Sequence, residues 1–236
     1  MVYTKKYTKF RKPRKAKKVY KAKPAYRKRR ARTSQYSSNI GLPLRKRVKL
    51  MYCEQFIVTP GLAGIPSYNR FLVNSMYDPN STGLGHQPMG FDQWALHYSE
   101  YLVRGVKLTT TYTNVTAGNG PIRIGHTYQD NTTFDSDLTD RLERQRWKNN
   151  KLLMGAVDSK AVITSYYSAK KFFGVKDLLD EHQMTALTTT NPTLPAYCFT
   201  WAQEATGTGS FIEDLICEVK IEFIAEFLKP REIGPS

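Results

Sequence analysis

The sequence predicts an all-β fold: an eight-stranded antiparallel jelly-roll sandwich with short helices in its loops, preceded by a disordered basic arm. Three observations predict it. Positive charge gathers at the start of the chain, where 20 of the 36 Lys and Arg lie between Lys5 and Lys49 and the first acidic residue is Glu54. Beyond that point, runs rich in Thr, Tyr and Val alternate apolar with polar side chains at period two, as half-buried strands do. Long loops rather than tight turns separate these runs, which favours a Greek-key sandwich over an up-and-down barrel. The expected organisation is a basic arm and linker over 1–44 and a jelly-roll domain over 45–236.

The arm comes first. Sixteen of residues 1–32 are Lys or Arg, and Pro13 and Pro24 interrupt any helix. Like charges at this density repel, and too little apolar area is present to offset chain entropy, so the arm is expected to be disordered in isolation. A polyanion changes that balance, because each neutralised phosphate releases a condensed counterion and gives tight, salt-sensitive, sequence-independent binding. Tyr3, Tyr7, Phe10, Tyr20, Tyr26 and Tyr36 are interleaved with the cations. Unpaired bases stack on such rings for ~1–3 kcal/mol each. The composition therefore suits single-stranded nucleic acid slightly better than a duplex, which phosphate contacts alone would also bind. The candidate contacts in the arm are Arg11, Lys12, Arg14, Lys15, Lys17, Lys18, Arg27, Lys28, Arg29, Arg30 and Arg32. The same clusters fit a nuclear localisation signal. A membrane-binding arm is not expected, since Leu and Trp are absent before Leu42.

Residues 33–44 read as a polar linker. Arg47–Val58 is the first strand, with Val48, Leu50, Tyr52, Phe56 and Val58 on one face and Glu54 the exception. Arg70–Tyr77 is the second. After a loop rich in Gly, Pro and Asn, Phe91, Trp94, Ala95, Tyr98 and Leu102 fall at helical spacing, so a helix is expected over 91–102. Strands follow at Arg104–Val115 and Ile122–Gln129. Ser136–Trp147 reads as a helix within a loop, with acids early and bases late as the helix dipole prefers. Leu152–Val157 and Lys160–Lys170 are close enough to form a hairpin across Asp158-Ser159, and Val175–Met184 reads as a short helix. Ala196–Gln203 is a strand with Tyr197, Phe199 and Trp201 on one face. The clearest strand is the last, Leu215–Leu228. There Leu215, Cys217, Val219, Ile221, Phe223, Ala225 and Phe227 form a wholly apolar face.

Motifs of catalysis are missing. Gly207-Thr-Gly-Ser lacks the Lys of a phosphate-binding loop, and no His-x-His or His-Glu-x-x-His occurs. His86, His97, His126 and His182 are scattered and read as structural or surface residues. Asp135, Asp137 and Asp140 read as helix N-terminal charge rather than a calcium loop. Cys53, Cys198 and Cys217 lack metal-ligand spacing and read as buried free thiols of an intracellular protein. No signal peptide, transmembrane helix, metal or cofactor is expected, and neither is an enzyme. Residues 50–236 hold 16 basic and 20 acidic residues, a formal −4, so the net +16 belongs to the first 49.

A basic, aromatic-interleaved arm ahead of an eight-strand sandwich resembles the capsid proteins of circular Rep-encoding single-stranded DNA viruses, the circovirus-like group. Gly90-Phe-Asp-Gln-Trp-Ala-Leu-His-Tyr98 and Ser168-Ala-Lys-Lys-Phe-Phe-Gly174 are similar to recurrent segments of that group. The arm departs from it, with 10 Lys and 6 Arg over residues 1–32 where circoviruses proper favour Arg. The resemblance implies a jelly-roll subunit that assembles with its own copies into a T=1 icosahedral shell. The arm would face inward on a single-stranded DNA genome and engage host nuclear import before assembly, so the expected locations are the virion and the host nucleus. It also implies that Arg45, Lys46, Arg47 and Lys49 lie near the inner wall, against ordered nucleotides. The competing reading is a cellular nucleic-acid-binding protein of ribosomal or nucleolar type, with a basic tail and a β domain.

Overall fold

The computed structural model describes residues 41–61, 65–83, 85–116, 120–134, 137, 143, 149–154, 159–205 and 214–232. Nine strands are present among them: β1 (Arg45–Val58), β2 (Ser67–Leu72), β3 (Tyr98–Asn114), β4 (Ile122–Gln129), β5 (Asn149–Leu153), β6 (Lys160–Ser168), β7 (Thr185–Leu187), β8 (Tyr197–Glu204) and β9 (Leu215–Pro230). Two short helices join them, α1 (Phe91–His97) and α2 (Ala169–Phe173). The eight expected strands are all there, and β7 is an addition of three residues.

The strands form two sheets, β1-β9-β3-β6 with β7 also on β3, and β2-β8-β4-β5. Every pairing is antiparallel. Four of the pairs are nested: β4 with β5, β3 with β6, β2 with β8 and β1 with β9. The chain is thus a long hairpin with β4 and β5 at its tip, rolled so that its arms fall alternately in the two sheets. Contacts of β9 with β3 and of β8 with β4 close the roll. This is the eight-stranded jelly roll, which removes most free sheet edges by wrapping the chain on itself.

The topology corrects one expectation directly. Leu152–Val157 and Lys160–Lys170 do not form a hairpin. β5 pairs with β4 in one sheet and β6 with β3 in the other. Leu153 is buried opposite Ile122, while Ile163, Ser165 and Tyr167 face inward from β6. Each segment buries its apolar face in its own sheet, so closeness in sequence does not decide the pairing.

β9 lies between β1 and β3 and has no free edge. The seven residues of its apolar face, from Leu215 to Phe227 at period two, are all essentially buried, as the alternation predicts. Each large one contributes on the order of 1.5–3 kcal/mol of burial. β1 alternates in the same way, and its odd member is explained. Glu54 accepts a hydrogen bond from the Tyr52 hydroxyl at 2.5 Å, and Asn80 Nδ2 donates to both of its oxygens at 3.0 Å. Burial and then that bond to Glu54 hold the Tyr52 phenol neutral, with its pKa raised.

Three further expectations shift. The helix at 91 ends at His97, not Leu102, and β3 starts at Tyr98. Residues four apart share a face in a strand as well as in a helix, so Tyr98 and Leu102 fit both periods, and pairing of Tyr98–Leu102 with β9 and β7 selects the strand. A β-bulge between Val103 and Gly105 then changes which residues face inward, from Tyr101 and Val103 to Val106, Leu108 and Tyr112. The second strand runs over 67–72 rather than 70–77. Val73 onward leaves the sheet because Asn74 bonds Leu194 O and the Ala196 amide, which turns the chain into the core. Val175–Met184 is helical only as a single 3-10 turn at His182–Met184. All but two residues of the helix expected at 136–147 (Asp137 and Glu143) lie outside the described residues, as do Asp135 and Asp140.

Candidate nucleic-acid interface

The eleven candidate cations of the arm, Arg11 to Arg32, lie outside the described residues. The other four open β1, where the strand's period of two divides them. Arg45, Arg47 and Lys49 project from the outer face of the β1-β9-β3-β6 sheet. Lys46 projects the opposite way and sits over the Trp94 ring of α1, 5.8 Å from its centroid. The structure therefore brings together three of the four and sets one apart.

The same outer face gathers cations that sequence reading missed. Register places Lys107 of β3 and Met51 of β1 on either side of Glu222 of β9, and Lys220 opposite Cys53. Arg104, at the bulge, is ion-paired with Glu226, and Lys160 lies opposite Thr113 on β6. Seven cations (Arg45, Arg47, Lys49, Arg104, Lys107, Lys160 and Lys220) thus share this face with four carboxylates, Glu100, Glu218, Glu222 and Glu226. Residues 45–236 hold 20 basic and 20 acidic side chains and are neutral as a whole. The surplus on this face is therefore matched by a deficit elsewhere on the domain. No sequence signal could have found these residues without the pairing, since Lys49, Lys107 and Lys220 are far apart in the chain.

Glu222 is the hinge of the charge pattern. Its carboxylate accepts a hydrogen bond from Lys107 Nζ at 3.1 Å and pairs with Lys49 Nζ at 3.6 Å. The Lys107 bond, helped by the fields of Lys107, Lys220 and Lys49 and opposed by some desolvation, holds its pKa below the usual carboxylate value. Lys220 is exposed, with no ion-pair partner among the described residues. Chemically, such a face can accept phosphates at Lys220 and at the arginines of β1, while Glu222 partly neutralises Lys49 and Lys107.

The remaining candidate groups are structural. His126 is fully buried between the sheets, with Nδ1 2.8 Å from Ser165 Oγ and Nε2 2.6 Å from Thr110 Oγ1. Burial lowers its pKa to about 3. Cys198 and Cys217 are buried thiols, and burial pushes the Cys217 thiol up to about 12. Cys53 corrects the expectation of three buried thiols, because its place in β1 turns it to the exposed outer face. Among the described residues no group of His, Cys, Asp and Glu could hold a metal ion, and no helix is long and apolar enough to cross a membrane.

No protein-family model matches the sequence, and no curated protein matches it. Solved structures do resemble the fold. A chain of Desmodium yellow mottle tymovirus is 13% identical with a TM-score of 0.43, covering 86% of this chain and 98% of that one. A chain of Mud crab tombus-like virus is 10% identical with a TM-score of 0.45, covering 84% of this chain and 96% of that one. The decameric BFDV capsid protein is 9% identical with a TM-score of 0.38, covering 78% of this chain and 99% of that one.

Proposed function

We propose that this chain is a viral capsid protein, which self-assembles into a T=1 icosahedral shell and packages circular single-stranded DNA through its basic arm. The arm also carries the nuclear localisation signal, so the protein works in the host nucleus during assembly and in the virion afterwards. Its role is structural rather than enzymatic. The observation that carries this reading is the union of two parts: a jelly roll, a fold that recurs in viral shells, and 20 cations before the first acid, sixteen in the arm and four at the start of the first strand. Arg45, Arg47 and Lys49 extend that charge onto one sheet face, which supports the reading that this face turns to the genome.

Electron microscopy of the purified full-length protein tests the assembly. Uniform spherical particles are expected. Only monomers or small oligomers, across salt and with added single-stranded DNA, would transfer the reading to a cellular nucleic-acid-binding protein. Deleting residues 1–40 should abolish co-purification of nucleic acid, and full binding by the truncated chain would remove the arm from the mechanism. Binding by the intact chain should weaken steeply with salt, each phosphate contact on a single strand adding about −0.7 to the log–log slope.

A further inference from the structure

We infer that the outer face of the β1-β9-β3-β6 sheet is a built seat for one ordered stretch of single-stranded nucleic acid, with Tyr166 as the residue on which a base stacks. This rests on the packaging function above and assigns it a second, ordered contact besides the arm.

Tyr166 carries the inference. It lies within β6, two residues from its end, yet it is 74% exposed, and it has no hydrogen-bond or ring partner among the described residues. Its neighbours in the strand, Ser165 and Tyr167, are buried, so the backbone is fixed while the ring stands free on a rigid platform. An aromatic ring held in this way loses little conformational freedom when a base stacks on it, and every base offers a π-face.

The surroundings suit a polyanion. Lys107 lies directly across from Tyr166 on β3, and the next pair along is Thr109 with Thr164, whose hydroxyls are 3.2 Å apart. Lys220 follows on β9, opposite Thr109. Neighbouring strands are ~4.8 Å apart and alternate residues ~6.8 Å apart along a strand. The two lysines therefore stand within about 5–12 Å of the Tyr166 position, in reach of phosphates flanking a stacked base. Charge selects the occupant. This face carries seven cations against four carboxylates while the domain itself is neutral, and its strand β1 follows the arm and linker in sequence.

Photo-crosslinking of the full-length protein to a single-stranded oligodeoxynucleotide containing 5-iodouracil tests the assignment, with the label located by peptide mapping. Label is expected on the peptide holding Tyr166 as well as on the arm. Tyr166→Ala should lose the first label and keep the second, and Tyr166→Phe should keep both. Label confined to the arm, with total binding intact, would overturn the sheet site and leave packaging by the arm standing. Failure of the full chain to bind the oligonucleotide would remove both readings. Equal protection of Tyr166 from iodination in empty and filled particles would show that a second copy covers the ring, which also overturns the proposal.

Discussion

The two sheets present very different outer faces. On the β1-β9-β3-β6 sheet, the outward residues are cations, carboxylates, threonines and an exposed Tyr166, with Met51, Ile57, Val162 and Ile224 exposed among them. On the β2-β8-β4-β5 sheet, they include Tyr68, Tyr197, Phe199 and Trp201, and the last two are buried. Phe199 meets Phe134 at 5.1 Å and Tyr68 at 5.5 Å between ring centroids. Trp201 lies over Gly125, with its indole N–H donating to Thr127 Oγ1 at 3.2 Å. The difference teaches that period two reports the pleat, not which side is wet. β8 is buried on both faces, and its interior face is Cys198, Thr200 and Ala202 rather than the aromatic set. One sheet spends much of its outer face on packing, and the other leaves most of its own exposed.

Several substitutions would break or sharpen this contrast. The largest effect is expected at Trp201→Ala, which leaves a cavity on the covered face and should cost about 3–5 kcal/mol in chemical denaturation. Acid comes next and acts on the layer between the sheets. The folded pKa of His126 is lowered to about 3 from an ordinary 6.5, so the unfolded chain binds a proton that the folded chain refuses. Stability is full above pH 6.5 and declines as pH falls towards 3, by on the order of 3 kcal/mol at pH 4. Urea midpoints at pH 7 and pH 4 measure this, and His126→Asn should flatten the difference. A loss of the same size in the variant would assign the acid sensitivity to other groups.

Gly125→Ala is expected to cost about 1–3 kcal/mol by overpacking, because the new Cβ would come within 2.3 Å of the Trp201 ring. An unchanged midpoint would mean that the indole moves freely, and the covered face would then be looser than its burial indicates. Glu226→Gln probes an enclosed ion pair of the open face. Loss of its charge-assisted bond with Arg104 should cost about 1–3 kcal/mol. The smallest effect belongs to Lys220→Ala, within about 0.5 kcal/mol, since an exposed cation away from packed groups adds little to stability. A larger loss there would show that the open face is structural and not reserved for binding.

Much of this architecture was legible in the chain. β9 and β1 declare themselves by long alternation, and the arm by its composition, because both signals are local and repeat many times. The helix at 91–97 was legible in place but not in length, since Tyr98 and Leu102 satisfy two periods at once. β7 was invisible because three residues carry no period. The candidate interface was half legible. Arg45, Arg47 and Lys49 stand beside the arm in sequence, whereas Lys107, Tyr166 and Lys220 meet them only through cross-strand register.

By itself, the sequence determined the division of charge between arm and domain, the all-β class and the apolar faces of the long strands. Each of these depends on neighbouring residues alone, through repulsion, propensity and the pleat. Only the tertiary structure decided that β5 leaves β6 for β4, that Cys53 faces outward, and that distant lysines converge around Tyr166. Those outcomes depend on which strands pair and in which register, a choice made by burying all the apolar faces at once rather than by any one segment.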